Sequence, residues 1–387
     1  DGEMKGLKRL NAVEKKKKQE EIFKLLLEAN DSRKKKYGSV LYELENKYTK
    51  LKPLSIAYDY FAEAGMAIEL VKFTNSFTGL VKAAGDPANT PGKLSEMAKK
   101  QKGNVTAFFK NYYAPIDQEM MECLLQMYAA GSDKANRPDV FEMIEKKYKN
   151  DFNKYAAEIF KKSMFASEEK LNSMLDKFSS KSVKTVELDP AWILMSSMYG
   201  FFYQKVQPEY GKILKEIELL MRTYVAGTRE METKHKFYPD ANSTLRISFG
   251  NIADYRPRDA VVYDYYTTLD GVMAKEDTNV FDYKVPVKLK ELYNKKDYGR
   301  YAENGVINVC FTGTNHTTGG NSGSPVLDAN GYLIGLNFDR CFEGTMSDIM
   351  YDPNYCRNIT LDIRYALFII DKFAGASNLI KEMKIID

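Results

Sequence analysis

Residues 306–340, VINVCFTGTNHTTGGNSGSPVLDANGYLIGLNFDR, hold the pattern on which the fold turns. An apolar run from Val306 to Phe311 has the look of a strand and feeds a polar turn holding Gly319, Gly320, Asn321, Ser322, Gly323, Ser324 and Pro325. A second short run, Val326 and Leu327, reaches Asn330-Gly331 and returns as residues 332–338. Asn-Gly between apolar runs is a strong hairpin signal, because both residue types tolerate positive φ. Ser322 is therefore expected on a tight loop at the mouth of a hairpin, with glycine on either side.

That setting suits a nucleophile. Glycines let backbone N–H groups converge on one spot, as an oxyanion hole needs, and they leave the hydroxyl uncovered. An α/β-hydrolase elbow requires Gly-x-Ser-x-Gly on a strand-to-helix turn. Here Ser324 stands where its second glycine would be, and Pro325 and a hairpin follow instead of a helix. Gly-x-Ser-Gly-x-Pro ahead of a hairpin points to a chymotrypsin-like barrel.

At 387 residues the chain exceeds one ordinary domain, and two are expected. The net charge of +4 is small for this length and selects no partner, and the scattered lysines give no case for nucleic acid. No stretch approaches the roughly 20 apolar residues of a membrane span. The chain begins at Asp1 without an initiator Met or leader pattern, at the edge of a helical pattern, which predicts a processed or truncated piece of something longer. Four cysteines, Cys123, Cys310, Cys341 and Cys356, are too scattered for a zinc site. Cys341 and Cys356 flank one segment, and a disulfide or two buried thiols fit equally well.

Residues 1–235 read as a helical domain. Helices are expected over 8–29, 39–50, 56–84, 116–130, 141–148, 168–178 and 209–234, with Ser167 and Asp189 as caps. The abundant Met, Phe and Tyr at helical spacing belong to a bundle core. From 236 to 387 the pattern shortens to strands and turns, with 245–249 and 260–263 alternating. A helix over 359–373 ending at Gly375, and a last short one capped by Ser377, close the chain. The fold class is α+β.

Acyl transfer by serine needs a base in hydrogen-bond reach, itself oriented by a carboxylate. The sequence has only two histidines, His235 and His316, and neither has a convincing setting for that work. A base and an orienting Asp in a segment preceding Asp1 are expected. The pocket is better defined. The strand after the serine hairpin runs beside the bound peptide and ends Asn337-Phe338-Asp339-Arg340, which places Arg340 eighteen positions (340 − 322) after the serine. Its guanidinium suits a bidentate grip on an Asp or Glu side chain just before the cleaved bond. Such a contact is worth about 1.5–3 kcal/mol. Asp339 is placed to hold a free α-amino group or, equally, to pair with Arg340.

Residues 318–326 (TGGNSGSPV), 335–340 (GLNFDR), 362–365 (DIRY), 237–246 (FYPDANSTLR) and 266–271 (YTTLDG) together resemble the bacterial dipeptidyl peptidases of the chymotrypsin clan that carry an inserted helical domain. The resemblance implies an α-helical cap over 1–235 and the second half of a double β-barrel, with terminal helices, over 236–387. It implies Ser322 as nucleophile, with the N–H groups of Gly320 and Ser322 as oxyanion donors. Asn337, Phe338, Asp339 and Arg340 line the substrate, Asp339 anchoring the amine and Arg340 marking the Asp/Glu-specific branch. Release of Xaa-Asp or Xaa-Glu dipeptides from oligopeptides follows. An endopeptidase of acidic preference and a non-catalytic peptide-binding module are the alternatives. The resemblance further implies export to the periplasm or surface of a Gram-negative bacterium, a homodimer, no metal and no cofactor. On this resemblance a first barrel, with its catalytic His and Asp, is expected outside this chain.

Overall fold

The computed structural model describes residues 1–239 and 241–386; Asp240, within one of the motifs quoted above, and Asp387 lie outside the described residues. The chain divides into two compact units, Leu25–His235 and Asp1–Lys24 together with Lys236–Asp387. The break at residues 235 and 236 coincides with the change of texture in the sequence, but the first 24 residues group with the second unit. Glycine explains this. The helix Gly2–Arg9 packs on the 3-10 segment Phe342–Asp348, and a Cβ on Gly2 would stand 2.7 Å from the Thr345 hydroxyl. One on Gly6 would meet the Met346 sulfur at 2.6 Å, so only bare backbone fits there.

The unit Leu25–His235 is helical around a core of Phe77, Tyr128, Phe165, Leu194 and their neighbours, all buried. Its caps follow from the sequence: Ser167 accepts from the Lys170 N–H and Asp189 from the Ala191 N–H. The expected helices near 39–50 and 56–84 are cut differently. Val40–Asp59 runs straight through Pro53 and passes into a π-turn, Tyr60–Gly65. The remainder forms Glu69–Asn75 and Thr78–Gly85. A buried carboxylate makes the break ahead of Glu69 possible, since Asp117 accepts from the backbone N–H groups of Glu69 and Leu70 at 2.8 Å each. The expected helix over 8–29 is also divided, into Gly2–Arg9 and Ala12–Glu28, at Asn11 with φ of 49°.

The other unit is mixed, so the chain as a whole is α+β. Its strands are β1 (Tyr255–Arg258), β2 (Val261–Tyr263), β3 (Tyr266–Thr268), β4 (Asn308–Gly313), β5 (Pro325–Leu327), β6 (Leu333–Arg340) and β7 (Asn358–Asp362). β1 and β2 pair as a ribbon, and the rest form an antiparallel sheet in the order β3-β4-β7-β6-β5. Leu269, Leu289, Ile307, Leu367 and Phe368 pack in its own small core.

Two expectations fail in this unit. Residues 359–362 belong to β7, with every second residue buried, and the helix begins at Ile363 with Asp362 accepting from the Arg364 N–H. Ile359-Thr360 favours a strand, so the helix starts four residues later than the expected 359. Residues 245–249 alternate as a strand should but form none, and Leu245, Ile247 and Phe249 are 93%, 82% and 89% exposed. Alternation reports a strand only where a partner pairs with it, and none does among the described residues. No helix among the described residues is long and apolar enough to cross a membrane.

Candidate active site

β5 and β6 form the expected hairpin, Pro325 opposite Leu336 and Val326 opposite Gly335. The turn between them differs in detail from the sequence reading. Gly331 has φ of 84° and Asn330 does not take positive φ, so glycine alone supplies the left-handed residue. The Asp328 carboxylate accepts from the N–H groups of Asn330 and Tyr332 and so folds the loop around itself. These donors hold the Asp328 carboxyl below its usual range.

The loop before β5 carries Ser322. Gly320 and Gly323 have φ of 100° and 83°, which a side chain would resist. Gly323 donates its N–H to the Asn337 carbonyl at 2.7 Å, and the Asn337 N–H donates to the Ser324 carbonyl at 2.9 Å. The Asn337 side chain is buried, donates to the Asn321 carbonyl at 3.1 Å and accepts from the Asn358 amide at 3.0 Å. One residue of β6 thus fastens both sides of the serine. The Ser322 hydroxyl is exposed and donates to the Phe338 carbonyl at 3.3 Å. Among the described residues the backbone N–H groups of Gly320 and Ser322 donate to no acceptor, the condition an oxyanion cradle requires.

Arg340 reaches its position through a β-bulge. Asn337 lies opposite Thr360 and Asp339 opposite Ile359, so two steps along β6 match one along β7. Directly opposed residues share a face of the sheet. Arg340, opposite Asn358, therefore stands on the same face as Asn337, although regular alternation would put residues 337 and 340 on opposite faces. Phe338, at the bulge, is 46% exposed.

The Arg340 guanidinium is held within the chain. Nη1 donates to Asp348 Oδ1 at 2.6 Å and to the Ser347 hydroxyl at 2.9 Å, and Nη2 donates to Asp348 Oδ2 at 2.7 Å. The hydrogen bonds from Arg340 hold the Asp348 carboxyl below its usual range, and Asp348 in turn raises Arg340. Asp339 does not bond the guanidinium; its carboxylate accepts from the backbone N–H of Arg340 at 2.8 Å. His316 reaches the Ser347 carbonyl through Nε2 at 2.9 Å, with its ring 4.9 Å from that of Tyr351. It stands beside the Arg340 group and makes no hydrogen bond to Ser322.

Cys341 and Cys356 are buried free thiols, each accepting a backbone N–H, and burial pushes both pKa values up. Among the described residues no group of three or more His, Cys, Asp or Glu is arranged to hold a metal. A cleft of about 810 Å³ in the helical unit contains none of the residues named above. Its walls carry charges of both signs, among them Lys134, Arg137, Glu142 and Glu145. Sequence reasoning missed Ser347 and Asp348, because no spacing rule links an arginine to residues seven and eight positions on across a 3-10 turn.

The candidate site is thus an antiparallel sheet with a glycine-flanked, exposed serine fastened to a bulged strand. The chain belongs to the Peptidase S46 family, whose profile matches residues 1–385. It is 39% identical over its whole length to the Asp/Glu-specific dipeptidyl-peptidase of Flavobacterium psychrophilum, of which it covers 53%. Over 72% of the chain it is 42% identical to dipeptidyl-peptidase 7 of Phocaeicola vulgatus, covering 38% of that protein. The crystal structure of Porphyromonas endodontalis DPP11 in complex with the dipeptide Arg-Glu superposes with a TM-score of 0.78 at 33% identity, over 98% of this chain and 54% of that one. A second, with Arg-Asp, gives 0.72. The chain spans about half the length of the relatives it matches.

Proposed function

We propose that this chain carries the nucleophile and the primary specificity pocket of a serine dipeptidyl peptidase that releases N-terminal dipeptides with Asp or Glu in second place. The observation that carries the reading is the pairing of two features on adjoining segments. Ser322 lies beside unengaged amides, and Arg340 is turned by a bulge onto the face of the residue that fastens the serine loop. Relatives named for Asp/Glu specificity, and the DPP11 structures with Arg-Glu and Arg-Asp, support the substrate class.

On this reading Ser322 attacks the carbonyl after the second residue, and the Gly320 and Ser322 N–H groups receive the oxyanion. Arg340 grips the acidic side chain and Asp339 receives the peptide's α-amine; Phe338 offers carbonyl and ring to the bound chain. Asn337 keeps the serine loop in register. The finer fold assignment is part of the same proposal: 236–387 as the second barrel of a double β-barrel peptidase, 1–235 as mostly a helical cap, and the base and its carboxylate supplied by the rest of the protein. An exported, dimeric enzyme acting on oligopeptides without a cofactor completes it.

The test is kinetic, on the full-length protein. Arg340→Gly should remove cleavage after Asp and Glu by about tenfold to a hundredfold in kcat/KM, the size of one charge-assisted contact. Retained acidic preference in that variant refutes the pocket assignment. Acylating the substrate's α-amine separates the exopeptidase from an endopeptidase, which would cleave the blocked peptide equally well. Absence of Ser322 labelling by a fluorophosphonate would favour a non-catalytic peptide-binding module.

A further inference from the structure

The guanidinium of Arg340 presents two forks of N–H donors, and the chain itself occupies one of them. Asp348 takes the end-on fork, Nη1 and Nη2, at 2.6 and 2.7 Å, and the Ser347 hydroxyl takes the second hydrogen of Nη1 at 2.9 Å. Of the five N–H donors that a guanidinium carries, the two left are those of Nε and the outer hydrogen of Nη2. They point the same way and form the side-on fork. Among the described residues neither is engaged. The Arg340 side chain is 24% exposed and that of Asp348 48% exposed, so the pair is partly solvent-accessible, with one fork committed within the chain and the other without an acceptor among the described residues.

We propose that Asp348 is a positioning residue that sets how strictly this pocket demands an acidic side chain, by aiming the open fork of Arg340 and by neutralising its charge before substrate arrives. The proposal rests on Arg340 being the specificity residue. Two physical consequences follow. An uncharged substrate side chain leaves no uncompensated cation behind, because Asp348 already partners it. An acidic side chain gains a bidentate grip but must settle beside a second carboxylate on the same guanidinium, and like charges that close oppose each other. The carboxylate of Asp348 thus weakens binding of acidic substrates and spares uncharged ones. Among the described residues Asp339, His316 and the buried thiol of Cys356 also lie near this edge; Asp339 is turned to the backbone N–H of Arg340, His316 to the Ser347 carbonyl, and Cys356 accepts the Asp352 N–H.

The test compares Asp348→Asn and Asp348→Ser with the parent in the full-length enzyme. Matched dipeptidyl substrates end in Asp or Asn, and in Glu or Gln. Removing the charge should lower KM for the acidic member of each pair about threefold to fivefold, the scale of a partly exposed charge interaction. KM for the uncharged member should not fall, so the ratio widens. Asp348→Glu, which restores the carboxylate, should return the ratio to within about twofold of the parent. Reading two charge-removing variants, each with a thermal melt, keeps a single misfolded protein from deciding the result. An equal rise in KM for acidic and uncharged substrates, or an unchanged ratio, overturns the proposal and assigns Asp348 to the fold alone. Arg340→Gly separates the two levels. If it leaves acidic preference intact, the pocket reading falls and this proposal with it. If it abolishes that preference while the Asp348 variants leave the ratio unmoved, only the role of Asp348 falls.

Discussion

The two units of this chain bury different things. In the helical unit the centre is apolar and aromatic. Phe77 meets Phe165 edge-on at 5.0 Å, Phe165 lies 6.3 Å from Trp192, and buried polar groups such as Asp117 and Asp189 serve mainly to cap helices. In the strand-bearing unit the apolar core is small, and Asn337, Ser347, Arg357, Asn358, Thr360 and Asp362 are buried together within one stretch of sequence. There the polar groups hold a loop and an arginine in place. Apolar burial is non-directional and gives a robust shape, whereas a hydrogen-bond network is directional and specifies where individual atoms stand. A site that must place a hydroxyl and a guanidinium accurately is better built from the second kind of interior.

The sharpest break in that comparison is chemical. Ser322→Ala in the full-length protein should lower kcat by about a million-fold while leaving the melting temperature nearly unchanged. Its hydroxyl makes one long hydrogen bond at an exposed position. A melting shift as large as that of a core mutant would mean the serine is structural.

Phe165→Ala comes next and tests the helical unit. It should cost about 3–5 kcal/mol in a denaturant titration followed by the fluorescence of Trp192, the single tryptophan of this sequence. A cost under 1 kcal/mol would show that this core tolerates a cavity and that close apolar packing is not what holds the helical unit.

A smaller effect belongs to the polar network. Asn358→Ala deprives the Asn337 side chain of its donor and should cost about 1–3 kcal/mol, with kcat falling more than the stability loss explains. Loss of stability with undiminished kcat would separate the network from the serine loop.

The least effect is electrostatic. Arg340 depresses the Asp348 carboxyl, so the pair's contribution is present above the unfolded pKa of about 4 and is lost as pH falls through the lower folded value. With Asp348 half exposed, solvent screening keeps that contribution below about 1 kcal/mol. Melting temperatures of Asp348→Asn and the parent should differ at pH 7 and converge as pH falls through the depressed folded pKa of Asp348; a gap that persists below it would rule out the ion pair as its source.

Where local chemistry sufficed, the sequence was legible. The Ser167 and Asp189 caps, the hairpin around Gly331 and the glycine-flanked Ser322 all depend on side-chain oxygens or φ preferences within a few residues. Periodicity misled where two periods fit the same short run, as over 359–362, or where alternation lacked a partner, as at Leu245, Ile247 and Phe249.

By itself, then, the amino-acid order determined the α+β class, the change of texture at residue 236, the exposed serine and the arginine eighteen places beyond it. Only the folded chain decided on which face that arginine lies, because an extra residue in β6 reverses the count that alternation predicts. It alone decided Arg340's partner too. Asp348 is brought back by a turn stabilised through packing of Gly2 and Gly6 at the far end of the sequence, a contact that no local preference encodes.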